Sequence, residues 1–411
     1  MKRVVVTGLG VVSPIGNTVD KFWENIVANK HGFTLGNWFP GQTDELNVYA
    51  DVKDFDCTEY IDKKAARRTD LLTQYAVYAA KKALEDAGTD FSDIDPYRRA
   101  TIIGSGIGGM HTTEEQIQTY HNKGNGRVSV FTIPMMIGNM AAGTVAIQTG
   151  FKGSNYCTTS ACSSAAHAIG DAFREIKHGY ADVALAGGTE ACRIGFAFAG
   201  FNNMHAVTRC QDVDKASIPF DLERSGFVLG DGAGVLVLEE YEHAKARGAK
   251  IYAEIAGYGS TCDAYHETSP DPEGFGGAKA MELAVEEAGV PKDTINYLNA
   301  HGTSTAINDK TETKAVKIAF GEEHARKMVI NSTKSMTGHL LGAAAGIEAI
   351  ATVLQMKNNL VHATVGLKTD DPECDLDYVK GSNREMKITG AISNSLGFGG
   401  HNACLCFLPV E

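Results

Sequence analysis

Short apolar runs alternate with helix-length segments along the whole chain, and this alternation limits the possible fold more than any other feature. Strand-like runs lie at 3–7, 100–104, 181–186, 233–238, 295–300, 389–394 and 403–408. Helix-like patterns lie at 72–87, 161–178, 275–289 and 340–357. Strands separated by helices usually form a sheet that helices cover on its faces. The sequence therefore predicts an α/β protein.

The length of the chain and the absence of linkers predict two halves in direct contact. A chain of 411 residues is longer than one hydrophobic core usually serves. It contains 45 glycines but only 10 prolines, and no Pro/Ser-rich or charged run could act as a flexible tether. A new strand-like run begins near Ile251 and repeats a helix-strand-helix order. We therefore predict halves at 1–250 and 251–411.

The charge and the cysteines limit the partners and the compartment. A net charge of -12 argues against nucleic-acid binding, which requires a basic face. The 9 cysteines form no regular framework and indicate a reducing compartment. The N-terminal apolar run is interrupted by Thr7 and Gly8, and nowhere do about 18 apolar residues follow one another. We expect a cytoplasmic protein with no membrane or nucleic-acid partner.

One cysteine stands at the start of a predicted helix. The segment 156–165 runs from a strand into a helix with apolar positions 162, 165, 166, 169, 173 and 176, and Lys177 to Gly179 close it. With Ser160 as N-cap, Cys162 falls in the first turn, where free amides favour a thiolate and can hold an oxyanion. Position alone leaves two readings open: a nucleophile or a buried core cysteine.

Two histidines lie at strand-to-helix switch points, where open α/β sheets collect ligand groups. His301 follows a strand, and His339 stands where another helix begins. A neutral imidazole there can donate a hydrogen bond to a carbonyl oxygen that becomes an enolate. A zinc site would require three or four ligands at a recognisable spacing, and no C-x-x-C or H-E-x-x-H motif occurs. We therefore expect no catalytic metal.

Charged and glycine-rich segments surround these histidines in the sequence. Lys334 and Glu348 lie in small or apolar surroundings, which favours a pair that orients the histidines, although a surface position for Glu348 stays open. The loop 395–402 has more glycine than a hairpin needs, so Phe398 within it could move as a gate. The alternative is a simple tight turn. The segment 104–109 matches G-x-G-x-x-G, but no acidic residue follows at the spacing of a dinucleotide site.

Taken together, the chain resembles the β-ketoacyl-[acyl-carrier-protein] synthases over its whole length. The resemblance rests on several ordered motifs: Val5 to Gly10, Ala161 to Ser164, Gly226 to Gly234, His301 to Thr305, Lys334 to His339 and Gly397 to Gly400. It implies a thiolase-like fold of five layers, αβαβα, built from two pseudo-repeated halves, and a homodimer. It also implies that no cofactor is needed, because the phosphopantetheine arm belongs to the carrier-protein substrate.

The resemblance assigns roles to individual residues. Cys162 would be the nucleophile and His301 and His339 the decarboxylation histidines, with Lys334, Glu348 and Asp309 as supporting charges. The backbone N–H groups of Cys162 and Phe398 would form the oxyanion hole. Further residues would contact the substrate, namely Thr303, Thr305, Ile107, Thr268 and Gly399. The implied reaction loads an acyl group on Cys162 and then condenses it with malonyl-carrier protein, releasing carbon dioxide.

The implied partner is an acidic acyl carrier protein, so an acidic chain such as this one requires a local basic patch. The candidates for it are Lys63, Lys64, Arg67, Arg68 and Arg127. A solvated helix face is the alternative for each of them. His205 stands where relatives often carry arginine, Leu396 where they often carry phenylalanine, and His401 where they often carry threonine.

Three other functions compete with this one. A ketosynthase of a polyketide-type pathway would share all of the motifs. A non-catalytic chain-length factor shares the fold but lacks the reactive cysteine, which this chain keeps. A thiolase needs a second cysteine in a C-x-G setting, whereas Cys404 and Cys406 are followed by Leu405 and Phe407.

Overall fold

The computed structural model describes residues 1–37 and 46–410. The strands of this part are β1 (Val4–Val12), β2 (Phe33–Gly36), β3 (Asn47–Ala50), β4 (Arg99–Gly104), β5 (Asn155–Tyr156), β6 (Val183–Glu190), β7 (Gly232–Glu240), β8 (Ala253–Cys262), β9 (Tyr297–Asn299), β10 (Val329–Asn331), β11 (Leu360–Val361), β12 (Arg384–Glu385), β13 (Ala391–Gly397) and β14 (His401–Leu408).

The helices alternate with these strands, as the sequence predicted. They are α1 (Val19–Val27), α2 (Lys63–Ala66), α3 (Leu71–Ala87), α4 (Met110–Lys123), α5 (Thr132–Met136), α6 (Met140–Thr149), α7 (Ser164–Lys177), α8 (Gly195–Asn203), α9 (Tyr241–Ala246), α10 (Phe275–Ala288), α11 (Ala306–Phe320), α12 (Glu322–Ala325), α13 (Lys334–Thr337) and α14 (Ala344–Asn358). Within the described residues, no helix has both the length and the apolar character that a membrane crossing requires.

The main sheet repeats one strand order on either side of its centre. Among the described residues it has 10 strands, in the order β10-β9-β13-β14-β8-β1-β7-β6-β4-β5. Outward from the centre, each half places its first strand, then its fifth, fourth, second and third. The strand directions repeat too: β4 is parallel to β5 and β6, as β9 is to β10 and β13, and the remaining pairs within each half are antiparallel. The two halves are therefore structural repeats.

The halves meet where β1 and β8 pair antiparallel, with Val4 opposite Ile255. Every residue of β1 is buried, as expected of an apolar strand with helices on both sides. Gly8 and Gly10 of this strand lie directly against the backbone of α3, because a Cβ atom at either position would stand about 2 Å from a carbonyl oxygen of that helix. The close approach fixes α3 on the outer face of the first half.

Three of the hydrophobic cores in the described residues lie between the layers. The central core contains the buried faces of α7 and α14, which lie between the two halves of the sheet. A second core packs α3 against the outer face of the first half, and a third packs α10 and α11 against the second. The resulting layers, helix, sheet, helix, sheet, helix, are the predicted thiolase-like αβαβα arrangement. The chain position that divides the halves, predicted between 250 and 251, stays a prediction.

Candidate active site

Cys162 sits on a tight turn between β5 and α7. Residues Ala161–Ser163 form one turn of 3-10 helix, and the α-helix begins only at Ser164. Ala161 has a φ of +51°, a left-handed conformation that is strained for a residue with a side chain. The sequence placed Cys162 in the first turn of an α-helix with Ser160 as N-cap. In the structure the Ser160 side chain does not cap; its Oγ lies 2.5 Å from Nδ1 of His167.

The surroundings of the Cys162 thiol also correct the expectation that this residue is a thiolate. Cys162 is buried, its Sγ lies 3.0 Å from Nε2 of His339, and the backbone N–H of Phe398 donates a hydrogen bond to it. Burial raises the pKa of Cys162 to about 11, although Lys334 and the Phe398 amide act in the opposite direction. The expected thiolate is therefore wrong for this state, because removal from water outweighs the helix start. The resting group at neutral pH is the thiol.

The ring of His339 presents a hydrogen, not a lone pair, to the sulfur. The backbone N–H of Leu341 donates to Nδ1 of His339 over 3.2 Å, so this nitrogen is the acceptor and Nε2 carries the proton. The Phe227 ring stands edge-on to the imidazole at 5.1 Å between centroids. Burial and the charge of Lys334 hold the pKa of His339 well below its ordinary value. His339 is thus a neutral donor aimed at Cys162.

His301 faces the same point from the second half. Its ring lies 5.4 Å from that of His339, at 85° between the planes. The Lys334 ammonium lies 3.3 Å from Nδ1 of His301 and donates to its carbonyl oxygen over 2.7 Å. An ammonium only donates, so Nδ1 of His301 accepts and Nε2 again keeps its hydrogen. Burial, then Lys334, hold the pKa of His301 well below its ordinary value.

Lys334 itself is held by a buried carboxylate. Its Nζ atom forms an ion pair with Glu348, and the side chains are only 1% and 2% exposed. Glu348 does not lie on the surface, which was the alternative position. Burial raises the pKa of Glu348, and Lys334 opposes this rise. A buried charge is stable only when an opposite charge pairs with it. The ion pair with Glu348 therefore holds the Lys334 ammonium beside His301.

The three side chains also resemble a metal-ligand set. The donor atoms of Cys162, His301 and His339 lie within 4.8 Å of one another. A metal ion would need a lone pair on each Nε2, which moves both protons to Nδ1. On Nδ1 these protons would face the Leu341 N–H and the Lys334 ammonium, which are hydrogen-bond donors themselves. The hydrogen bonds behind the rings therefore favour an oxyanion over a metal ion.

Some buried side-chain oxygens on β9, β13 and α14 have no hydrogen-bond partner among the described residues. They are Asn299 Oδ1, Glu348 Oε2, Ser393 Oγ, Asn394 Oδ1 and Ser395 Oγ. Asn299 and Ser393 are partners in the β9–β13 ladder. Amide, hydroxyl and carboxylate oxygens are the ligands that hard cations take.

The glycine-rich loop closes the β13–β14 hairpin over Cys162. Gly399 and Gly400 have φ of +85° and +74°, which explains the pair of glycines. Gly397 packs on the turn of the nucleophile, since a Cβ atom there would lie 2.7 Å from the Ser160 carbonyl oxygen. The Gly399 amide donates to the Glu267 carbonyl over 2.7 Å. Gly399 therefore ties two loops together and does not line the pocket; its substrate role stays a prediction.

A pocket of about 400 Å³ opens from this site to the surface. Most of the predicted contact residues line it, namely Cys162, His301, His339, Thr303, Thr305, Ile107, Thr268 and Phe398. The hydroxyl oxygens of Thr303 and Thr305 lie 2.9 Å apart. The remaining walls are largely apolar, with Phe201, Phe227 and Leu341 among them. A long apolar group with a polar arm fits such a pocket.

Asp309 was expected to support the two histidines, but its carboxylate has other partners. No contact between its carboxylate and either histidine is found in the described residues. It accepts the Phe220 amide over 2.8 Å, and Oδ2 lies 3.7 Å from Nε of Arg224. Arg224 donates in turn to the carbonyl oxygen of Thr305. The charge of Asp309 therefore acts on the loop that carries the threonines.

Two carboxylates that the sequence analysis missed hold the loops of the site. Glu312 accepts the backbone N–H groups of His301 and Gly302, each over 2.8 Å, and burial raises its pKa to about 7. Glu190 accepts from Gly106 over 2.7 Å and from Gly342 over 3.0 Å. The position of Glu190 at the end of an apolar strand, after two glycines, was the available signal.

The predicted docking residues lie outside the pocket. Lys63, Lys64, Arg67 and Arg68 are exposed on α2 and just after it, and Arg127 is exposed after α4. Arg68 stacks on the Phe131 ring at 4.8 Å from the centroid. All five cationic groups are therefore accessible from solvent.

Comparison with known proteins defines the class of this site. The β-ketoacyl synthase N-terminal domain family matches residues 1–244, and the C-terminal domain family matches residues 252–368. The chain belongs to the β-ketoacyl synthase family. Two relatives named 3-oxoacyl-[acyl-carrier-protein] synthase 2 cover 100% of the chain and 99% of their own length: one from Synechocystis sp., 47% identical, and one from Staphylococcus aureus, 48% identical.

Solved structures share the whole fold. A β-ketoacyl synthase from Burkholderia phymatum is 36% identical, with a TM-score of 0.92. A ketosynthase from a complex with its type II polyketide acyl-carrier protein is 35% identical, also with a TM-score of 0.92. Each comparison covers 100% of both chains.

Proposed function

We propose that the protein is a 3-oxoacyl-[acyl-carrier-protein] synthase of the type named synthase 2, an acyltransferase that elongates fatty acids. In the first stage the Cys162 sulfur attacks the carbonyl carbon of an acyl-carrier protein. The bond from this carbon to the pantetheine sulfur breaks, and the thiol proton of Cys162 ends on the released pantetheine thiol. The acyl chain is then a thioester on Cys162.

In the second stage malonyl-carrier protein enters the same pocket. Its carboxylate leaves as carbon dioxide, and the electron pair forms an enolate on the thioester. The Nε2–H groups of His301 and His339 donate to this enolate oxygen, because both rings keep their hydrogen on the side of the pocket. The enolate carbon attacks the acyl carbonyl, and Cys162 leaves as a thiolate that takes a proton from water. The product is a 3-oxoacyl-carrier protein two carbons longer.

The backbone amides of Cys162 and Phe398 serve the tetrahedral intermediates. The Phe398 N–H already hydrogen-bonds to the Cys162 sulfur. An acyl group on that sulfur places its carbonyl oxygen near both amides, where negative charge develops during attack. This site needs no cofactor, since the pantetheine arm enters with each substrate. Thr303 and Thr305 offer hydroxyl groups to that arm.

The observation that carries the proposal is the contact between Cys162 and His339, with His301 beside them. The test is production of 3-oxoacyl-carrier protein from acyl- and malonyl-carrier protein by the purified protein and by Cys162→Ala. We expect product from the unaltered protein alone. Undiminished product from Cys162→Ala would contradict the proposal.

An acyl carrier protein is the partner that this reaction requires. A structural relative of 35% identity forms a complex with one. We place the docking surface on Lys63, Lys64, Arg67, Arg68 and Arg127, whose charges suit an acidic carrier. The cytoplasm is the proposed compartment, because a catalytic thiol must stay reduced.

We also propose a homodimer through the edge of the first half. In the described residues β5 is paired on one side only, with β4, and its two residues are exposed. Exposed apolar side chains lie near it, including Ile147 (76% exposed) on α6. A free strand edge beside an apolar face favours pairing with a second copy. Sedimentation should give the mass of two chains, and Ile147→Lys should shift it toward one.

A polyketide-type ketosynthase is the second candidate, because one structural relative serves such a pathway. The chain-length-factor alternative is weaker, since the chain keeps Cys162 with both histidines. The two ketosynthase functions differ in the carrier protein and the number of extensions. Assay with the carrier protein of fatty acid synthesis should give one extension followed by release; repeated extension without reduction would favour the polyketide function.

A further inference from the structure

Glu190, the last residue of β6, is a buried acid that has no part in the reaction described above. Its side chain is fully buried, and no Lys, Arg or His side chain of the described residues forms an ion pair with it. Burial raises the pKa of Glu190, although the hydrogen-bond donors around it oppose this rise. A buried acid without a cation is costly unless hydrogen bonds compensate for the lost water. The donors around Glu190 therefore show what this side chain holds in place.

The Oε2 atom of Glu190 joins two loops of the site. It accepts the Gly106 N–H over 2.7 Å and the Gly342 N–H over 3.0 Å. Gly106 follows β4, and Gly342 belongs to the turn that precedes α14. The other oxygen, Oε1, accepts the Ser105 hydroxyl over 2.9 Å. Two N–H donors leave no place for a hydrogen on Oε2, so any proton of the carboxyl group is on Oε1. Oε2 is therefore an acceptor for both loops in either protonation state.

The Gly342 contact lies next to the hydrogen bond that sets the tautomer of His339. The Leu341 N–H donates to Nδ1 of His339 over 3.2 Å, and the next N–H along the chain is that of Gly342. Because peptide units are planar, the backbone angles of Leu341 determine how these two N–H groups are oriented relative to each other. Leu341 has a φ of +47°, a left-handed conformation that persists only where the surrounding structure holds it. Glu190 supplies such a contact, since a Cβ atom on Gly342 would lie 2.6 Å from its Oε2.

We propose that Glu190 is a positioning residue for His339. By holding the Gly342 N–H, it keeps the Leu341 N–H directed at Nδ1, so the ring hydrogen of His339 stays on Nε2 and faces Cys162. A hydrogen on Nδ1 would turn Nε2 into an acceptor, which cannot donate to an enolate oxygen. The kinetic consequence rests on the proposed function, whereas the position of the hydrogen does not. Only the fraction of molecules with the hydrogen on Nε2 is competent for condensation.

Two conservative variants separate the reach of the Glu190 carboxylate from its charge. Glu190→Gln loses the charge but keeps an oxygen that can accept both N–H groups. Glu190→Asp keeps the charge but withdraws the oxygens by about 1.5 Å, the length of one carbon–carbon bond. NMR of protein with isotope-labelled histidine nitrogens distinguishes a ring nitrogen that carries hydrogen from one that does not, and His339→Gln identifies the signals of His339. We expect Glu190→Gln to keep the hydrogen on Nε2, and Glu190→Asp to move it to Nδ1 in about half of the molecules.

The rate of condensation should follow the position of this hydrogen. If about half of the molecules carry it on Nδ1, kcat of Glu190→Asp should fall about twofold, and a larger shift should lower kcat in proportion. Glu190→Gln should retain most of kcat. Ser105→Ala is the matched control, because it removes a hydrogen bond to the same carboxylate but leaves both N–H donors on Oε2. The signals of His339 should not move in this control, even if its midpoint of thermal unfolding falls.

Unmoved His339 signals in Glu190→Asp would overturn the proposal, as would a hydrogen on Nδ1 in the unaltered protein. A shift in Glu190→Gln as large as that in Glu190→Asp would overturn it too, because the reach of the side chain would then not matter. If Glu190→Asp does not fold, Glu190→Gln and the unaltered protein still provide two of these tests. Absence of 3-oxoacyl product from the unaltered protein would instead refute the proposed function, and the NMR result would stand.

Discussion

Nε2 of His339 lies 3.0 Å from Sγ of Cys162, and the Leu341 amide occupies the other ring nitrogen. His339 is therefore a hydrogen-bond donor to the reacting atoms and not the base that removes the thiol proton. His339→Ala should lower kcat about 100- to 1,000-fold, as loss of an oxyanion donor does. His339→Gln, which can place an N–H near the same point, should retain more activity than His339→Ala. Equal losses would argue against the donor role.

His301 should matter most for the loss of carbon dioxide. Its Nε2–H points to the site because Lys334 holds Nδ1. His301→Ala should suppress carbon dioxide release from malonyl-carrier protein, which radiolabelled malonyl groups measure, while acylation of Cys162 continues. His178→Ala is the control, since His178 is exposed at the far end of α7, about 20 Å along the helix from Cys162. Unchanged release from both His301→Ala and His339→Ala would remove the histidines from this step.

The raised pKa of Cys162, about 11, predicts how its alkylation depends on pH. Only the thiolate reacts with iodoacetamide, and its fraction grows about tenfold per pH unit below the pKa. The rate should therefore keep rising from pH 7 to pH 9 without a plateau. Cys162→Ala measures the contribution of other cysteines, such as the exposed Cys262. A plateau near neutral pH would show that the donors around the sulfur outweigh burial.

The buried ion pair of Lys334 and Glu348 should be costly to break on one side. Glu348→Leu leaves an unpaired ammonium and should destabilise the fold by about 3–5 kcal/mol, seen as a lower midpoint of thermal unfolding. Lys334→Met combined with Glu348→Leu removes both charges and should recover much of that loss. The double variant should nevertheless have low activity, because nothing then holds Nδ1 of His301. Stability that falls further in the double variant would contradict this account.

The basic surface on α2 should act through long-range attraction. Arg67→Glu with Arg68→Glu should weaken binding of acyl carrier protein, most strongly at low salt where charges are least screened. Titration of labelled carrier protein at two ionic strengths measures this. Lys368→Glu with Lys387→Glu makes the same charge change at exposed positions elsewhere. If both double variants behave alike, net charge explains the effect and the surface does not.

The layered α/β fold could be predicted from the sequence because strands appear as short apolar runs and helices as apolar residues at helical spacing. Helix α3, predicted at 72–87, spans Leu71–Ala87, and α10, predicted at 275–289, spans Phe275–Ala288. The strand-like run at 3–7 was too short, since β1 continues to Val12 through Gly8 and Gly10. Glycine weakens the interior of a strand, but here it admits the backbone of α3.

The site was harder to predict, because its chemistry depends on burial. Cys162, His301 and His339 were found from their positions at strand and helix ends. The protonation state of Cys162 could not be predicted in this way, because burial of the thiol beneath the loop that carries Phe398 decides it. Glu190 and Glu312 were missed because most of their partners are backbone amides, which leave little mark in side-chain patterns beyond the position of Glu190 at the end of an apolar strand.

The repeated strand order allows the two halves to be compared as copies of one ancestral unit. The turn Ala161–Ser163 precedes α7 in the first half, and the turn Leu341–Ala343 precedes α14 at the equivalent place in the second. Ala161 and Leu341 share the left-handed conformation, and Cys162 corresponds to Gly342. A Cβ atom on Gly342 would stand 2.3 Å from the Gly106 amide. A duplicated ancestor would have possessed two such turns, and descent has kept a sulfur in one while leaving glycine in the other, where the Gly106 loop and the Glu190 carboxylate pack against it.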